Sequence, residues 1–119
     1  MAKIPPIREN TDFRRAYHRG KFAAHPCLVT HCVRNRVGCV RVGITVSKKL
    51  GSAPQRSRAR RVIRAAWRQH FPAGFPQAGQ ALQRGVDIVF VAREGTAAMK
   101  SAALAPIMRG QLRKLGFME

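Results

Sequence analysis

The sequence predicts one domain of the α+β class, and three observations carry that prediction. The chain has 119 residues, which is the usual size of a single domain. Its most strand-like run, Val86–Ala92, is apolar enough to lie in the middle of a sheet. Its longest helical pattern, Ala53–His70, carries apolar residues on one side only. We therefore expect helices that pack on a sheet, in one domain over residues 1–119.

The N-terminal region predicts a short helix. Asn10 or Thr11 can cap its first turn, and Gly20 can end it. Phe13 and Tyr17 are four residues apart, so they lie on the same face of this helix. Taken alone, such a pair belongs to a core more often than to a binding surface.

Two β-forming runs follow the first helix. Residues 27–33 favour a strand, residues 35–38 favour a turn, and residues 39–47 favour a returning strand. The simplest pairing places these two strands side by side and antiparallel, because a short turn joins them.

The longer helix is predicted over Ala53–His70. Ser52 and Gln55 have the spacing of a capping box at its start, and Pro72 follows its end. Its apolar arc consists of Ala59, Val62, Ile63, Ala66 and Trp67. Beside the arc lies a basic row of Arg56, Arg60 and Arg64, flanked by Arg61 and Arg68, with Arg58 farther round. Like charges four residues apart destabilise a helix by about 0.2–0.5 kcal/mol per pair, so the row indicates a function outside folding.

The remainder of the chain predicts a loop, a strand and a helix. Residues 72–83 are expected to form the loop, and Val86–Ala92 the strand. A final helix is expected after Thr96. Its best-defined part covers residues 106–115, because Pro106 cannot lie deep inside a helix.

The charge of the chain indicates a polyanionic partner. Lys and Arg number 23 against 5 Asp and Glu, which gives a formal net charge of +18, and no acidic residue occurs from Phe13 to Val86. Such a charge destabilises the compact state by self-repulsion, so binding to phosphate backbones is its simplest use. A membrane surface is the competing anion. Against it, no segment approaches the roughly 18 apolar residues of a spanning helix, and the N-terminus lacks a signal peptide's apolar run. We therefore expect a cytoplasmic protein.

The chain lacks the residue clusters that most catalytic and metal sites need. A two-metal nuclease needs clustered carboxylates, whereas the five acids here are dispersed. No motif surrounds a Ser or Cys nucleophile. The four histidines have no zinc-site spacing, and the three cysteines form no CxxC pair, so reduced thiols in small buried side chains are expected. We predict no catalytic residue and no metal ligand.

Two motifs lie at the start of the basic helix. Residues 47–51 read Ser-Lys-Lys-Leu-Gly, and residues 56–61 read Arg-Ser-Arg-Ala-Arg-Arg. They resemble the Ser-Lys-Lys-x-Gly strand end and the Arg-Asn-Arg-x-x-Arg helix opening of the protein subunit of bacterial ribonuclease P, with Ser57 in place of the family's Asn. Residues 12–20 and 91–93 also fit, so the resemblance covers roughly residues 8 to 115.

This resemblance implies an α-β-β-β-α-β-α domain similar to the second domain of ribosomal protein S5, with a left-handed βαβ crossover around the basic helix. It also implies a non-catalytic protein subunit of a ribonucleoprotein endonuclease, with no membrane and no obligate protein partner. The partners would be the catalytic RNA, which holds most of the Mg²⁺, and the 5′ leader of precursor tRNA. The residues matching the leader cleft are Phe13, Tyr17 and His31. The residues matching the family's RNA-contacting cations are Lys48, Lys49, Arg56, Arg58, Arg60, Arg61 and Arg64. The predicted RNA-binding set also includes Ser57, which replaces the family's Asn, and Arg68, which flanks the basic row.

Other functions share this size and charge. A ribosomal or other structural RNA-binding protein would have no reason to prefer a precursor tRNA. A DNA-binding module would bind duplex DNA tightly, but the sequence has no helix-turn-helix or zinc-finger spacing. The basic row alone is also compatible with a merely solvated helix face.

Overall fold

A four-stranded sheet lies at the centre of the structure, a computed structural model that describes residues 6–7, 9–36, 40–70 and 85–116. In chain order the described elements are α1 (Asn10–Arg19), β1 (Lys21–His25), β2 (Leu28–Arg34), β3 (Arg41–Thr45), α2 (Ala53–His70), β4 (Val86–Ala92) and α3 (Ser101–Lys114). Short 3₁₀ turns at Lys48–Leu50 and Thr96–Ala98 precede α2 and α3. This order confirms the expected α+β domain with the sequence α-β-β-β-α-β-α.

The order of strands across the sheet is β1-β2-β4-β3. β1 pairs antiparallel with β2, β2 pairs antiparallel with β4, and β3 pairs parallel with β4. The prediction that the strands around residues 27–33 and 39–47 are neighbours is therefore wrong, because β4 lies between β2 and β3. Apart from Asp87, β4 is apolar on both faces, and a central position buries both of them. The hand of the β3-α2-β4 crossover stays a prediction.

The larger core lies between one face of the sheet and the helices α2 and α3. All five apolar residues predicted for α2 are buried: Ala59, Val62, Ile63, Ala66 and Trp67. The ring of Trp67 meets that of Phe90 on β4, with centroids 5.6 Å apart. The arc prediction is thus confirmed, because helical periodicity is a local property that the sheet partner does not alter.

The start of α2 is confirmed, whereas that of α1 is corrected. The backbone N–H of Ser52 donates to Gln55 Oε1 at 3.0 Å, and the N–H of Gln55 donates to Ser52 Oγ at 3.4 Å. These two bonds form the predicted capping box. In α1 the cap position is held by Glu9, whose side chain makes no capping bond, so a cap at Asn10 or Thr11 is wrong.

The last helix, α3, covers Ser101–Lys114, so it contains most of the part predicted from Pro106 onward and begins before it. Pro106 lies in its second turn, where one backbone hydrogen bond is lost but the rest of the helix forms. A buried amide fixes α3 to the sheet. Gln111 Nε2 donates to backbone carbonyls of β1 and β2 at 3.1 and 2.7 Å, and its Oε1 accepts from Thr30 Oγ1 at 2.6 Å.

The cysteines behave as small core residues where the structure describes them. Cys32 is buried, and this burial raises the pKa of its thiol to about 12. Cys27 is half-buried, and both thiols are free. Cys39, the remainder of the predicted turn at 37–38 and the predicted loop over 72–83 lie outside the described residues. No helix in the described part of the chain is long and apolar enough to cross a membrane.

A smaller core lies on the other face of the sheet, under α1. Ile7, Ala16 and Val89 are buried there, and Phe13 packs against them. Gly43 on β3 allows this approach, since a Cβ at that position would come within 2.7 Å of the Phe13 ring. Phe13 therefore fixes the height of α1 above the sheet.

A buried carboxylate on the same face connects α1, β3 and β4. Asp87 Oδ1 accepts hydrogen bonds from Arg41 Nε and Asn35 Nδ2, and its Oδ2 accepts from Arg41 Nη2 and Arg15 Nη2, each at 2.8 Å. The residues Arg15, Arg41, Asn35 and Asp87 are called the Asp87 cluster below. Asp12 lies 3.5 Å from both arginines.

We expect the stability of the fold to decrease as the pH falls below about 4. Burial alone would raise the pKa of Asp87, but hydrogen bonds from Arg41 and Asn35 and the charge of Arg41 outweigh it and lower the pKa below its ordinary value of 3.8. The unfolded chain therefore binds the proton first. The stabilisation is complete above the ordinary pKa and is lost as the pH falls through the folded pKa. Denaturant unfolding between pH 6 and pH 2 measures this loss, which should be smaller in Asp87→Asn. Equal pH dependence in both proteins would contradict it.

Candidate nucleic-acid interface

The predicted RNA-binding side chains lie along α2 and on the 3₁₀ turn before it. Except for Arg56, which is half-buried, they are exposed: Lys48, Lys49, Ser57, Arg58, Arg60, Arg61, Arg64 and Arg68. Every ion pair among the described residues involves Arg15 or Arg41, so none of the cations in this basic segment (residues 48–68) is neutralised by a described acid. The segment thus presents unneutralised positive charge to solvent.

One arginine of the basic segment also has a structural contact. Arg58 Nε donates to the backbone carbonyl of Ala97 at 2.7 Å. This bond joins α2 to the 3₁₀ turn that precedes α3. Arg58 therefore contributes to folding as well as to the surface charge, unlike Arg60 and Arg64.

The Ser-Lys-Lys-Leu-Gly motif forms the corner between β3 and α2. Ser47 Oγ accepts from the backbone N–H of Lys49 at 3.2 Å, and the Ser47 carbonyl accepts from the N–H of Leu50 at 3.0 Å. Gly51 has φ of +122°, a backbone conformation that residues with a Cβ rarely adopt. The motif thus places both lysines on an exposed turn at the end of the sheet.

Three rings form a row on the face of the sheet that α1 partly covers. Phe22 on β1 lies opposite His31 on β2, and their rings stack with centroids 5.6 Å apart and planes 29° apart. The Tyr17 ring meets His31 edge-on, at 5.0 Å and 79°. Tyr17 is 36% exposed and Phe22 63%. The structure therefore brings Tyr17 and His31 together as flat, accessible side chains and adds Phe22 to them.

Polar contacts hold the middle of the ring row. The Tyr17 hydroxyl and Thr45 Oγ1 share a hydrogen bond of 2.7 Å, which joins α1 to β3. Desolvation by burial lowers the pKa of His31, so its imidazole is neutral at neutral pH. Its Nδ1 is buried and has no hydrogen-bond partner among the described residues.

Phe13 belongs to the cleft residues indicated by the sequence, whereas Phe22 does not. Phe13 is half-buried and packs against the core of Ile7, Ala16 and Val89, and its role in the leader cleft stays a prediction. Phe22 was missed by sequence reasoning. The available signal was its position next to Ala23. Side chains alternate between the two faces of a strand, so the burial of Ala23 places the Phe22 ring on the opposite face.

A groove lies between the end of β1 and the start of the basic segment. It is lined by Ala24, His25, Pro26, Ser47, Lys49, Leu50, Val91, Ala92, Arg93 and Glu94. Ala24 follows Phe22 by two residues, so both lie on the same face of β1, about 7 Å apart. Rings, groove and lysine-bearing turn therefore form one surface. Apolar and flat groups lie at one end of it, and positive charge at the other.

The sequence and the fold are similar to those of known proteins. The chain matches the Ribonuclease P family over residues 1–116. The ribonuclease P protein component of Clostridioides difficile (strain 630) is 39% identical over 87 residues, which cover 73% of this chain and 70% of that protein. That of Alkaliphilus oremlandii (strain OhILAs) is 36% identical over 93 residues, or 78% of this chain and 75% of that protein.

Solved structures agree with these sequence matches. The RNase P protein of Staphylococcus aureus has a TM-score of 0.77 and 27% identity, covering 98% of this chain and 100% of that one. The RNase P protein of Thermotoga maritima has a TM-score of 0.70 at 23% identity, covering 96% of this chain and 97% of that one, and therefore shares the fold.

Proposed function

The chain belongs to the ribonuclease P protein family, and from this membership we propose that it binds both the catalytic ribonuclease P RNA and the single-stranded 5′ leader of precursor tRNA. The RNA cleaves the leader and leaves the mature tRNA 5′ end, while the protein is the non-catalytic subunit. These two RNAs are its partners in the cytoplasm, and it needs no protein partner. The observation that carries the proposal is a surface on which an unneutralised basic segment, a groove and a row of accessible rings follow one another.

The basic segment supports binding to the RNA subunit. Guanidinium groups make bidentate contacts with phosphates, and arginine predominates over lysine along α2. Each neutralised phosphate releases counterions, so affinity should fall steeply with salt. The same cations screen the repulsion between catalytic RNA and precursor tRNA. We therefore expect the protein to lower the Mg²⁺ concentration needed for cleavage.

Ser57 occupies the position of the family's asparagine. Its hydroxyl can donate and accept a hydrogen bond, as the amide can, but it has a shorter reach. The side chain is exposed on α2 between Arg56 and Arg58, which supports a contact with RNA.

The ring row supports binding to the leader. Proteins that hold single strands combine a positive groove with flat side chains, on which any base can stack. Tyr17 and His31 supply such surfaces, and Lys49 and Arg93 supply charge along the groove. Mature tRNA has no leader, so these contacts favour the precursor without reading the identity of the tRNA.

We assign the catalytic Mg²⁺ to the RNA. Mg²⁺ is bound by carboxylate and phosphate oxygens. The oxygens of Asp87 already accept hydrogen bonds from Arg41, Arg15 and Asn35, and Asp12 lies beside the same arginines. No three metal-ligating side chains lie together in the described part of the chain, so the described residues alone do not fit a magnesium site.

Leader-dependent affinity tests the proposal. The dissociation constants of precursor and mature tRNA are measured with a bacterial ribonuclease P RNA, in the presence and absence of the protein. We expect the protein to strengthen precursor binding selectively. Tyr17→Ala should reduce that gain about 5- to 150-fold, because stacking on one base is lost. Tyr17→Phe is the matched control, which keeps the ring and removes only the bond to Thr45.

Two other outcomes separate the alternatives. An equal gain for precursor and mature tRNA would contradict leader binding and favour a ribosomal or other structural RNA-binding protein. Preferred binding to duplex DNA over either RNA would favour a DNA-binding module.

A further inference from the structure

We infer that Phe22 is a leader-binding residue of this chain, on whose exposed ring a nucleobase stacks beside His31. The inference rests on the proposed function and deepens it, because it adds a base contact beyond the cleft residues indicated by the sequence. The motifs at residues 12–20 and 47–61 do not include Phe22, and its role comes from geometry alone.

The exposure of Phe22 is the first argument. It lies on the edge strand β1 and is 63% exposed, the larger exposed fraction of the two large hydrophobic residues that are exposed in the described chain. One face of its ring stacks on His31. Because the residue is 63% exposed, much of the rest of the ring surface faces solvent. On the opposite face of β1, Ala23 is the residue that packs in the larger core. Folding therefore does not require a phenyl group at position 22. An exposed aromatic ring of this kind is a feature of binding surfaces.

The second argument is that the ring is held in place before any ligand arrives. Phe22 stacks on His31, His31 meets the edge of Tyr17, and Tyr17 is hydrogen-bonded to Thr45. These contacts run across the sheet from β1 to β3. Phenylalanine has two side-chain torsions, and stacking restricts both. Little side-chain entropy is therefore lost when a base binds to the ring.

The third argument is the position of Phe22 on the groove surface. Ala24 lines the groove that reaches Lys49, and Phe22 is its neighbour on the same face of β1. A single strand that follows the groove from the basic segment therefore meets Ala24 before Phe22. Since the proposed function places the cleaving RNA at the basic segment, the base on Phe22 belongs to the part of the leader farther from the cleavage site.

Variants of Phe22 test this inference in the reconstituted holoenzyme. Phe22→Ala removes the ring, Phe22→Leu keeps an apolar side chain without a flat face, and Phe22→Tyr keeps the face. Dissociation constants are measured for precursor tRNAs whose leaders increase one nucleotide at a time, and for mature tRNA. Circular dichroism verifies that each variant is folded.

We expect Phe22→Ala and Phe22→Leu to bind long leaders about 5- to 150-fold more weakly, with no change for the shortest leaders or for mature tRNA. Phe22→Tyr should restore the affinity. A second measurement identifies stacking directly. An abasic nucleotide at one leader position should weaken binding by the wild-type protein, and this loss should disappear in Phe22→Ala, because the base and the ring act as one pair.

The outcomes distinguish this inference from the proposed function. If the wild-type protein prefers precursor tRNA and Phe22→Ala binds every leader equally well, the role of Phe22 is wrong and leader binding stands. If every abasic position costs the same in wild type and variant, stacking on Phe22 is likewise excluded. If the wild-type protein shows no leader preference at all, the proposed function fails and this inference fails with it.

Discussion

Replacement of Asp87 by alanine is expected to lower the free energy of unfolding by about 3–5 kcal/mol. The carboxylate is fully buried and accepts four hydrogen bonds of 2.8 Å, three of them from arginine. Its removal leaves Arg41 and Arg15 with only the more distant, partly exposed Asp12 to compensate them, in a chain of net charge +18. Since the free energy of unfolding of small domains is about 5–15 kcal/mol, this loss is a large fraction of the stability of the protein.

Denaturant unfolding at pH 7 measures the effect, and Asp12→Ala is the matched control. Asp12 lies near the same two arginines, but at 3.5 Å and partly exposed, so its removal should cost less than about 1 kcal/mol. Equal stability of the two variants would contradict the stabilising role assigned to the Asp87 cluster.

The second large effect is expected in RNA binding. Exchanging both Arg60 and Arg64 for glutamate should weaken binding to the ribonuclease P RNA and reduce the slope of log K against log salt by about 1.4–1.8, which corresponds to two lost phosphate contacts. Folding should change little, because both side chains are exposed and unpaired with described acids. A glutamate at position 60 lies four residues from Arg56, and one at position 64 lies four residues from Arg68, and both spacings are favourable. The two glutamates repel each other at the same spacing, as the two arginines they replace do.

The matched control is the same charge change on another helix. Arg109 and Arg113 are exposed on α3, so Arg109→Glu with Arg113→Glu lowers the net charge equally. We expect this control to keep most of the affinity and the salt slope. Equal losses in both double variants would mean that net charge, and not the basic segment, determines binding.

Features that depend on neighbours in the chain could be predicted from the sequence. The limits of α2, its capping box and its buried arc follow from spacings of three and four residues, and all agree with the structure. The exposure of Arg60 and Arg64 follows from the same periodicity. These properties arise within one helix, so tertiary packing had little opportunity to change them.

Features that depend on distant pairing could not be predicted in this way. Parallel pairing of β3 with β4 joins Arg41 to Asp87 and Thr45 to Val91, across the whole of α2. Local β-propensity contains no information on which strand enters the centre, so the simple hairpin between the second and third strands was wrong. The Asp87 cluster was missed for the same reason. Its only sign in the sequence was one acidic residue within an apolar strand.

The candidate site was predicted in part. Helical spacing identified Tyr17 and Phe13 alike, but it could not show that Tyr17 meets His31 whereas Phe13 packs against the core under α1. Whether a ring on α1 meets the sheet or the solvent depends on the distance of the helix from the sheet. The contact between Phe13 and Gly43, on a distant strand, sets this distance. The contact of the Phe22 ring with His31 depends on the pairing of β1 with β2, which local sequence does not specify.

Cleavage of a precursor tRNA at low Mg²⁺ by a bacterial ribonuclease P RNA tests the central proposal most directly, with the protein present, absent, or alone. We predict strong stimulation by the protein and no cleavage by the protein alone, because the described residues supply cations and rings but no cluster of metal-binding side chains. Absence of stimulation in a preparation that binds the RNA would contradict the proposed function. Cleavage by the protein alone, free of contaminating nuclease, would contradict the assignment of the chemistry to the RNA.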